Sequence, residues 1–230
     1  MKHIYSITII LLLAMNANAQ QTHQTFKSCN ELSYLIALPE GYSANGEAVP
    51  LLLFLHGSGE RGNDLDKVKA WGPPKLIAEG KKLPFIVVSP QCPANEHWDV
   101  YVLKQLLDEL IKTYNVDKSR VYLTGLSMGG FGTWALATAF PEYFAAIVPV
   151  CGGGDPLSAY RIKDIPCQVF HGKKDQAVPE QRSAEMVEAL KKLGTDVKYT
   201  VLPEGDHPAS WIFAYNEADL WDWFLQQKKK

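Results

Sequence analysis

The chain has 230 residues, 47% of them hydrophobic and 21% charged, with a formal net charge of −2. That length suits one domain with a sizeable buried core, and the composition is ordinary for a soluble globular protein. So small a charge gives no electrostatic case for binding nucleic acid or an anionic membrane surface.

Lys2 gives a positively charged start, residues 4–15 form a short apolar run broken by Ser6 and Thr8, and Ala17-Asn18-Ala19 supplies the small-x-small cleavage pattern. This reads as a secretory signal peptide over residues 1–19, with the mature chain starting at Gln20 and exported to the periplasm or the medium. No cysteine follows the cleavage pattern, which argues against a lipid anchor, and no later stretch is apolar for long enough to span a bilayer. Residues 20–230 carry no internal repeat or low-complexity linker and are expected to form one domain.

Within it, short β-rich runs alternate with helical stretches. Residues 26–38 read as one or two opening strands, closed by Pro39-Glu40-Gly41. Residues 50–56 (PLLLFLH) and 84–89 (PFIVVS) are continuous apolar runs. Residues 100–114 place Val102, Leu103, Leu106, Leu107, Leu110 and Ile111 at helical spacing. Residues 120–124 (RVYLT) precede a small, apolar helical stretch over 127–140, and two more runs follow at 145–150 (AAIVPV) and 166–170 (PCQVF). Residues 181–193 carry Met186, Val187, Leu190 and Leu193, and stop at Gly194 as helices do. A last run at 197–202 (VKYTVL), a helix over 218–227 and a solvated Lys228-Lys229-Lys230 tail complete the chain. Runs apolar on both faces suit strands inside a parallel sheet, and their alternation with helices gives an α/β fold with right-handed crossovers.

In such sheets ligands sit beyond the carboxyl ends of the strands. Those ends hold Gly57-Ser58-Gly59-Glu60-Arg61, Gly125-Leu126-Ser127-Met128-Gly129, His171-Gly172-Lys173-Lys174-Asp175 and Pro203-Glu204-Gly205-Asp206-His207. A serine, an acid and a histidine therefore come in chain order at successive strand ends. The G-x-S-x-G pentapeptide alone arises by chance in somewhat under roughly one chain in ten of this length. Between a strand and a helix it acquires a mechanism. It forces a tight, strained turn that projects Ser127 above the sheet, with the free N–H groups of the following helix aimed at the same spot.

These residues carry a family resemblance. The chain resembles the α/β-hydrolase superfamily, and within it the secreted feruloyl esterase, acetylxylan esterase and polyhydroxyalkanoate depolymerase-like group, whose members are also labelled predicted peptidases or phospholipase/carboxylesterase-like proteins. The matching pieces are L-F-L-H-G-S-G-E-R-G, S-P-Q-C-P, H-W-D, G-L-S-M-G-G, H-G-K-K-D-Q-A-V-P and a closing W-x-W-F-L, spread over nearly all of residues 20–230. The resemblance implies a mostly parallel central sheet covered by helices on both faces, and an exported serine esterase. It implies an ester-bearing small molecule or plant polysaccharide as substrate, with feruloyl or acetyl groups as the acyl part, and neither metal nor organic cofactor. A short-chain carboxylesterase, a lipase-like enzyme or a peptidase is the alternative among enzymes, and an inactive carbohydrate-binding protein the alternative outside them. The group leads one to expect a histidine loop of the form G-x-G-H closely followed by S-W. Here it reads Gly205-Asp206-His207-Pro208-Ala209-Ser210-Trp211, shorter before the histidine and longer after it.

Roles follow from chemistry. Ser127 is the expected nucleophile, His207 the base that takes its proton, and Asp175 the acid that orients and stabilises the imidazole. The backbone N–H groups of Ser58 and Met128 are the expected oxyanion donors. Asp155 and Asp206 are the rival acids. His56 and His171, each before a glycine at a strand end, are expected to bond loop backbone, and the role of His97 stays open. Glu60 and Arg61 either clamp substrate or pair with each other. Trp98 and Trp211 are expected in the substrate pocket, Phe131 and Trp134 in the core, and Trp71 lies near a loop or helix start. Cys29, Cys92, Cys151 and Cys167 contain no C-x-x-C pair, which gives no support to zinc or dithiol chemistry. They allow three pairings, with buried free thiols equally open.

Overall fold

A computed structural model of the chain describes residues 20–27, 31–217 and 219–229. The signal peptide expected over residues 1–19, together with Cys29 and Ala218, lies outside the described residues. Eight strands form one sheet among the described residues. They are β1 (Thr22–Lys27), β2 (Glu31–Ala37), β3 (Val49–Leu55), β4 (Ile86–Pro90), β5 (Val116–Leu126), β6 (Ala146–Val150), β7 (Cys167–Gly172) and β8 (Val197–Leu202). Their spatial order is β1-β2-β4-β3-β5-β6-β7-β8. Neighbours from β4 to β8 run parallel, and β2 pairs antiparallel with both β1 and β4. The sheet is thus mostly parallel, as the resemblance implies.

The two-residue period of a strand divides the apolar runs between two cores. On β3, Leu51, Leu53 and Leu55 face one core, while Leu52 and Phe54 face the other. All five are 0% exposed, and such burial stabilises by about 1.5–3 kcal/mol per side chain. The first core is closed by α2 (Val100–Thr113), α3 (Met128–Ala139) and α4 (Gln181–Lys192), through side chains such as Leu106, Trp134 and Met186. The second is closed by α1 (Gly72–Ala78), α5 (His207–Asn216) and α6 (Asp219–Gln226), through Ile77, Tyr215 and Phe224. Helices therefore cover both faces. No helix among the described residues is long and apolar enough to cross a membrane.

The helices α1 and α5 are absent from the sequence reading, for one reason. Each opens with proline, at 73–74 and at 208, and proline in a sequence reads as a breaker. In the first helical turn, however, the missing N–H had no partner to lose and the fixed φ suits the helix. Strand β5 also starts earlier than its apolar stretch, because Val116 pairs with Val49 and the ladder resumes at Val121 after a register shift over residues 117–120. At the other end of the chain, the tail is less solvated than expected. Lys229 donates its backbone N–H to Ser119 O at 2.8 Å and its Nζ to Glu142 O at 2.6 Å.

Candidate active site

The site lies beyond the carboxyl ends of β3, β5, β7 and β8. Strand β5 runs directly into α3 through Ser127, whose backbone takes φ 53° and ψ −117°. That is a strained conformation for a residue with a Cβ. Two glycines make the turn possible by letting main chains touch. A Cβ on Gly129 would lie 1.9 Å from Leu55 O, and one on Gly125 would lie 2.3 Å from Gly129 O. The elbow is pinned further by Ser127 N–H donating to Val150 O at 2.9 Å.

The other two residues come from loops joined by hydrogen bonds. After β7, the backbone N–H of Lys173 donates to Leu202 O at 2.8 Å and that of Lys174 to Gly205 O at 2.9 Å. The acid loop and the histidine loop are therefore tied to each other through their backbones. Asp206 caps α5 by accepting from Ala209 N–H at 3.0 Å, which starts the helix on His207 itself. Trp211, one helical turn on, then meets the imidazole edge-on with ring centroids 5.0 Å apart. The two residues between His207 and Ser210, Pro208 and Ala209, thus belong to the first turn of a helix.

The structure brings Ser127, His207 and Asp175 together. Ser127 Oγ is 2.8 Å from His207 Nε2, and His207 Nδ1 is 2.5 Å from Asp175 Oδ2. The Asp175 side chain is wholly buried, and its Oδ1 accepts from the N–H groups of Ala177 and Val178, both at 2.8 Å. Asp155 and Asp206 instead serve as caps, Asp155 accepting from Leu157 N–H at 3.0 Å. The backbone N–H groups of Ser58 and Met128 each begin a helical turn and donate to no other described residue. Both residues line, with Ser127, one end of a cleft of about 490 Å³ whose walls include His97, Trp98 and Phe131. A groove of about 740 Å³ beside β8 and α6 shares no residue with the triad.

Other candidates fall in different places. Trp98 reaches the cleft, held by its indole N–H on His56 O at 3.2 Å. Trp211 is nearly buried and lies behind the imidazole, against Trp71. Glu60 is buried beneath the Ser58 turn, 3.9 Å from His56 Nδ1, and burial pushes its carboxyl above the usual range. Arg61 does not pair with it but spans the loop, donating to Ser58 O and Glu96 O at 3.0 Å each. His56 bonds backbone on both nitrogens, as expected, facing Gly57 O at 2.6 Å and accepting from Cys92 N–H at 2.9 Å. Trp134 is fully buried, but Phe131 differs from expectation by lining the cleft. It sits four residues after Ser127, on the same helical face, and that spacing was the available signal.

Cys92, Cys151 and Cys167 are free and buried. Cys151 lies under the site, its sulfur within 4.8 Å of ligand-type atoms of Asp175 and His207. Burial pushes its thiol well above the ordinary value, so it stays protonated and is a poor metal ligand.

Known proteins of similar sequence and shape include esterases. The chain is 31% identical over 141 residues to a bifunctional acetylxylan esterase/xylanase of Neocallimastix patriciarum, covering 58% of this chain and 20% of that protein. It is 27% identical to the probable feruloyl esterase C of Aspergillus terreus, covering 70% of this chain and 61% of that one. It therefore spans from a fifth to about three fifths of these relatives. Among solved structures, a thermostable esterase superposes with a TM-score of 0.82 at 34% identity, over 91% of this chain and 63% of the other. A mutant of the feruloyl esterase module from Clostridium thermocellum complexed with sinapinate shares the fold, with a TM-score of 0.70 at 17% identity over 93% and 90% of the two chains. Residues 29–207 match the family described as "Putative esterase", and the chain belongs to that family, on an α/β-hydrolase fold.

Proposed function

We propose that this protein is an exported serine hydrolase that cleaves carboxylic esters through an acyl-enzyme, and that its substrates are feruloyl or acetyl esters on plant polysaccharides or their fragments. The observation that carries the reading is the chain of contacts from Ser127 Oγ to His207 at 2.8 Å and from His207 to Asp175 at 2.5 Å, beside two backbone N–H groups with no other partner among the described residues. Ser127 Oγ attacks the ester carbonyl while His207 Nε2 takes its proton. The N–H groups of Ser58 and Met128 receive the oxyanion, each such donor contributing about 10²–10³ in rate. The leaving alcohol departs with the proton from His207. Water then attacks the acyl-enzyme, giving its proton to the same nitrogen, and the acid is released as Ser127 Oγ is reprotonated. Asp175 holds the Nδ1–H tautomer and stabilises the imidazolium at each stage.

The cleft walls of Trp98, Phe131 and His97 favour an aromatic acyl group, which would stack on them. Relatives bearing both feruloyl and acetylxylan esterase names keep the acetyl reading beside it. Export rests on the N-terminal pattern of Lys2, the apolar run and Ala17-Asn18-Ala19. The test is direct. A fluorophosphonate probe should label Ser127, and Ser127→Ala should abolish p-nitrophenyl acetate hydrolysis with the fold intact. Wild-type turnover in that variant would remove the assignment, and absence of labelling would favour a carbohydrate-binding protein. Methyl ferulate, acetylated xylan and p-nitrophenyl esters of increasing length, run side by side, would then rank the acyl groups.

A further inference from the structure

We propose that His171 is a positioning residue for this site, its Nε2–H holding the carboxylate of Asp175 so that a relay of four side chains runs Ser127–His207–Asp175–His171; the inference rests on the reading of the triad given above. His171 ends β7 and is expected from the sequence only to bond loop backbone. Its Nε2 does face the carbonyl of Val178 at 2.9 Å, but it also lies 3.2 Å from Asp175 Oδ2. Both side chains are 0% exposed, so neither contact is replaced by water. A carbonyl and a carboxylate can only accept, so Nε2 must carry a proton in every state of the ring.

The other nitrogen faces a hydroxyl. Nδ1 is 2.8 Å from Ser183 Oγ on α4, and the same hydroxyl is 2.8 Å from Gly152 O, so its one hydrogen serves one of the two. Burial holds this imidazole below its ordinary pKa, which favours a neutral ring with Nδ1 bare, and in that state the Ser183 hydrogen goes to Nδ1 rather than to Gly152 O. Nδ1 is turned to the Ser183 hydroxyl, and the ring cannot rotate without giving up bonds at both ends.

The consequence falls on Asp175. Its Oδ1 takes two backbone N–H groups, and its Oδ2 takes the N–H of His207 and lies 3.2 Å from the nitrogen of His171, whose N–H is shared with Val178 O. Without His171, Oδ2 would keep a single donor, His207, which must itself change protonation during turnover. A buried N–H of fixed orientation holds Oδ2 in place through both states. It also spreads the carboxylate charge, which favours keeping the transferred proton on His207.

Two substitutions separate this role from packing. Gln places its amide nitrogen near the former Nε2 and keeps a donor toward Asp175. Asn reaches only the former Nδ1, where its amide oxygen can keep the Ser183 contact, and it leaves no donor toward Asp175. His171→Gln should retain kcat within about fivefold, while His171→Asn should lose about tenfold to a hundredfold in kcat. KM for p-nitrophenyl acetate should stay within about twofold in both. Equal kcat in the two variants, or a loss carried by KM alone, would overturn the inference. NMR on wild-type protein labelled with ¹⁵N at histidine gives a second reading that needs no variant. It should find His171 protonated at Nε2, and an Nδ1–H tautomer would overturn the proposal. Failure of the triad reading itself would appear separately, as turnover surviving in Ser127→Ala.

Discussion

Around Ser127 the closest contacts are between main chains, whereas around Asp175 they are between side chains. The elbow presses Gly125 and Gly129 against the backbone of β3, and no side-chain hydrogen bond caps the helix that follows. The acid is instead gripped by two backbone N–H groups and the His207 imidazole, with His171 Nε2 3.2 Å away, on a loop tied to the histidine loop. Close-packed backbone tolerates no added atom, but hydrogen-bonded side chains admit graded substitution. The two halves should therefore fail differently, one through the fold and the other through the rate.

The largest effect is expected where main chains touch. Gly129→Ala puts a methyl group 1.9 Å from Leu55 O and 2.7 Å from His56 O, both backbone atoms that cannot swing away. The cost should exceed the ~3 kcal/mol of ordinary overpacking, and the variant should lose its cooperative melt along with all esterase activity. Gly59→Ala is the control, since a Cβ there meets nothing within 4 Å, and it should melt as the wild type does. A Gly129→Ala protein with unchanged melting temperature would show that the elbow is looser than the contacts imply.

On the other half, Asp175→Asn should leave the fold intact. With its oxygen in the place of Oδ1 the amide keeps both backbone contacts, but it then presents an N–H to His207 and favours the wrong tautomer. A loss of about 10³–10⁴ in kcat with an unchanged melting temperature is expected. Single-turnover kinetics and a thermal melt on the same sample would check both. Wild-type turnover would move the acid elsewhere, with Asp155 the first place to look, although its carboxylate is engaged in capping.

The same contrast decides what could be read from the sequence. Strands β3 to β7 were legible because residues apolar on both faces leave few alternatives, and Ser127 because glycines at 125 and 129 announce close backbone approach. Asp175 and His207 were legible only through their order at successive strand ends. The prolines of α1 and α5 hid two helices, because a first-turn proline and a breaker look alike in a sequence. Phe131 reads as core because its helix is apolar all round, and its four-residue spacing from Ser127 is the one sequence signal that places it on the cleft face instead. The reach of His171 to Asp175 depends on how the loop after β7 folds back, and four residues of separation along a loop do not determine that. Glu60 illustrates the converse. Charge suggested a substrate clamp, yet the turn from Ser58 folds its carboxylate inward beside His56.

The smallest effect tests the one side chain on which the nucleophile half does depend. His56 Nε2 accepts from Cys92 N–H, and its Nδ1–H donates to Gly57 O, so the buried ring must be neutral. A second proton would face Cys92 N–H head on. Burial lowers the pKa from 6.5 to about 4. In the unfolded chain this histidine binds a proton below about pH 6.5, while in the folded protein it stays neutral until about pH 4. Between those values the unfolded state holds more protons, so stability is full above the window and falls as pH drops through it. The loss from this ring should reach about 3 kcal/mol by pH 4. Glu60 has the opposite sign, because its raised pKa makes the folded state take up a proton more readily, and it offsets part of the loss. Urea unfolding at pH 7, 5.5 and 4 should show the decline, and His56→Gln, which cannot titrate, should flatten it while being less stable at pH 7. A His56→Gln profile parallel to the wild type would mean that other groups carry the acid sensitivity, and that the loop of Ser58, like the elbow beside it, is held by backbone alone.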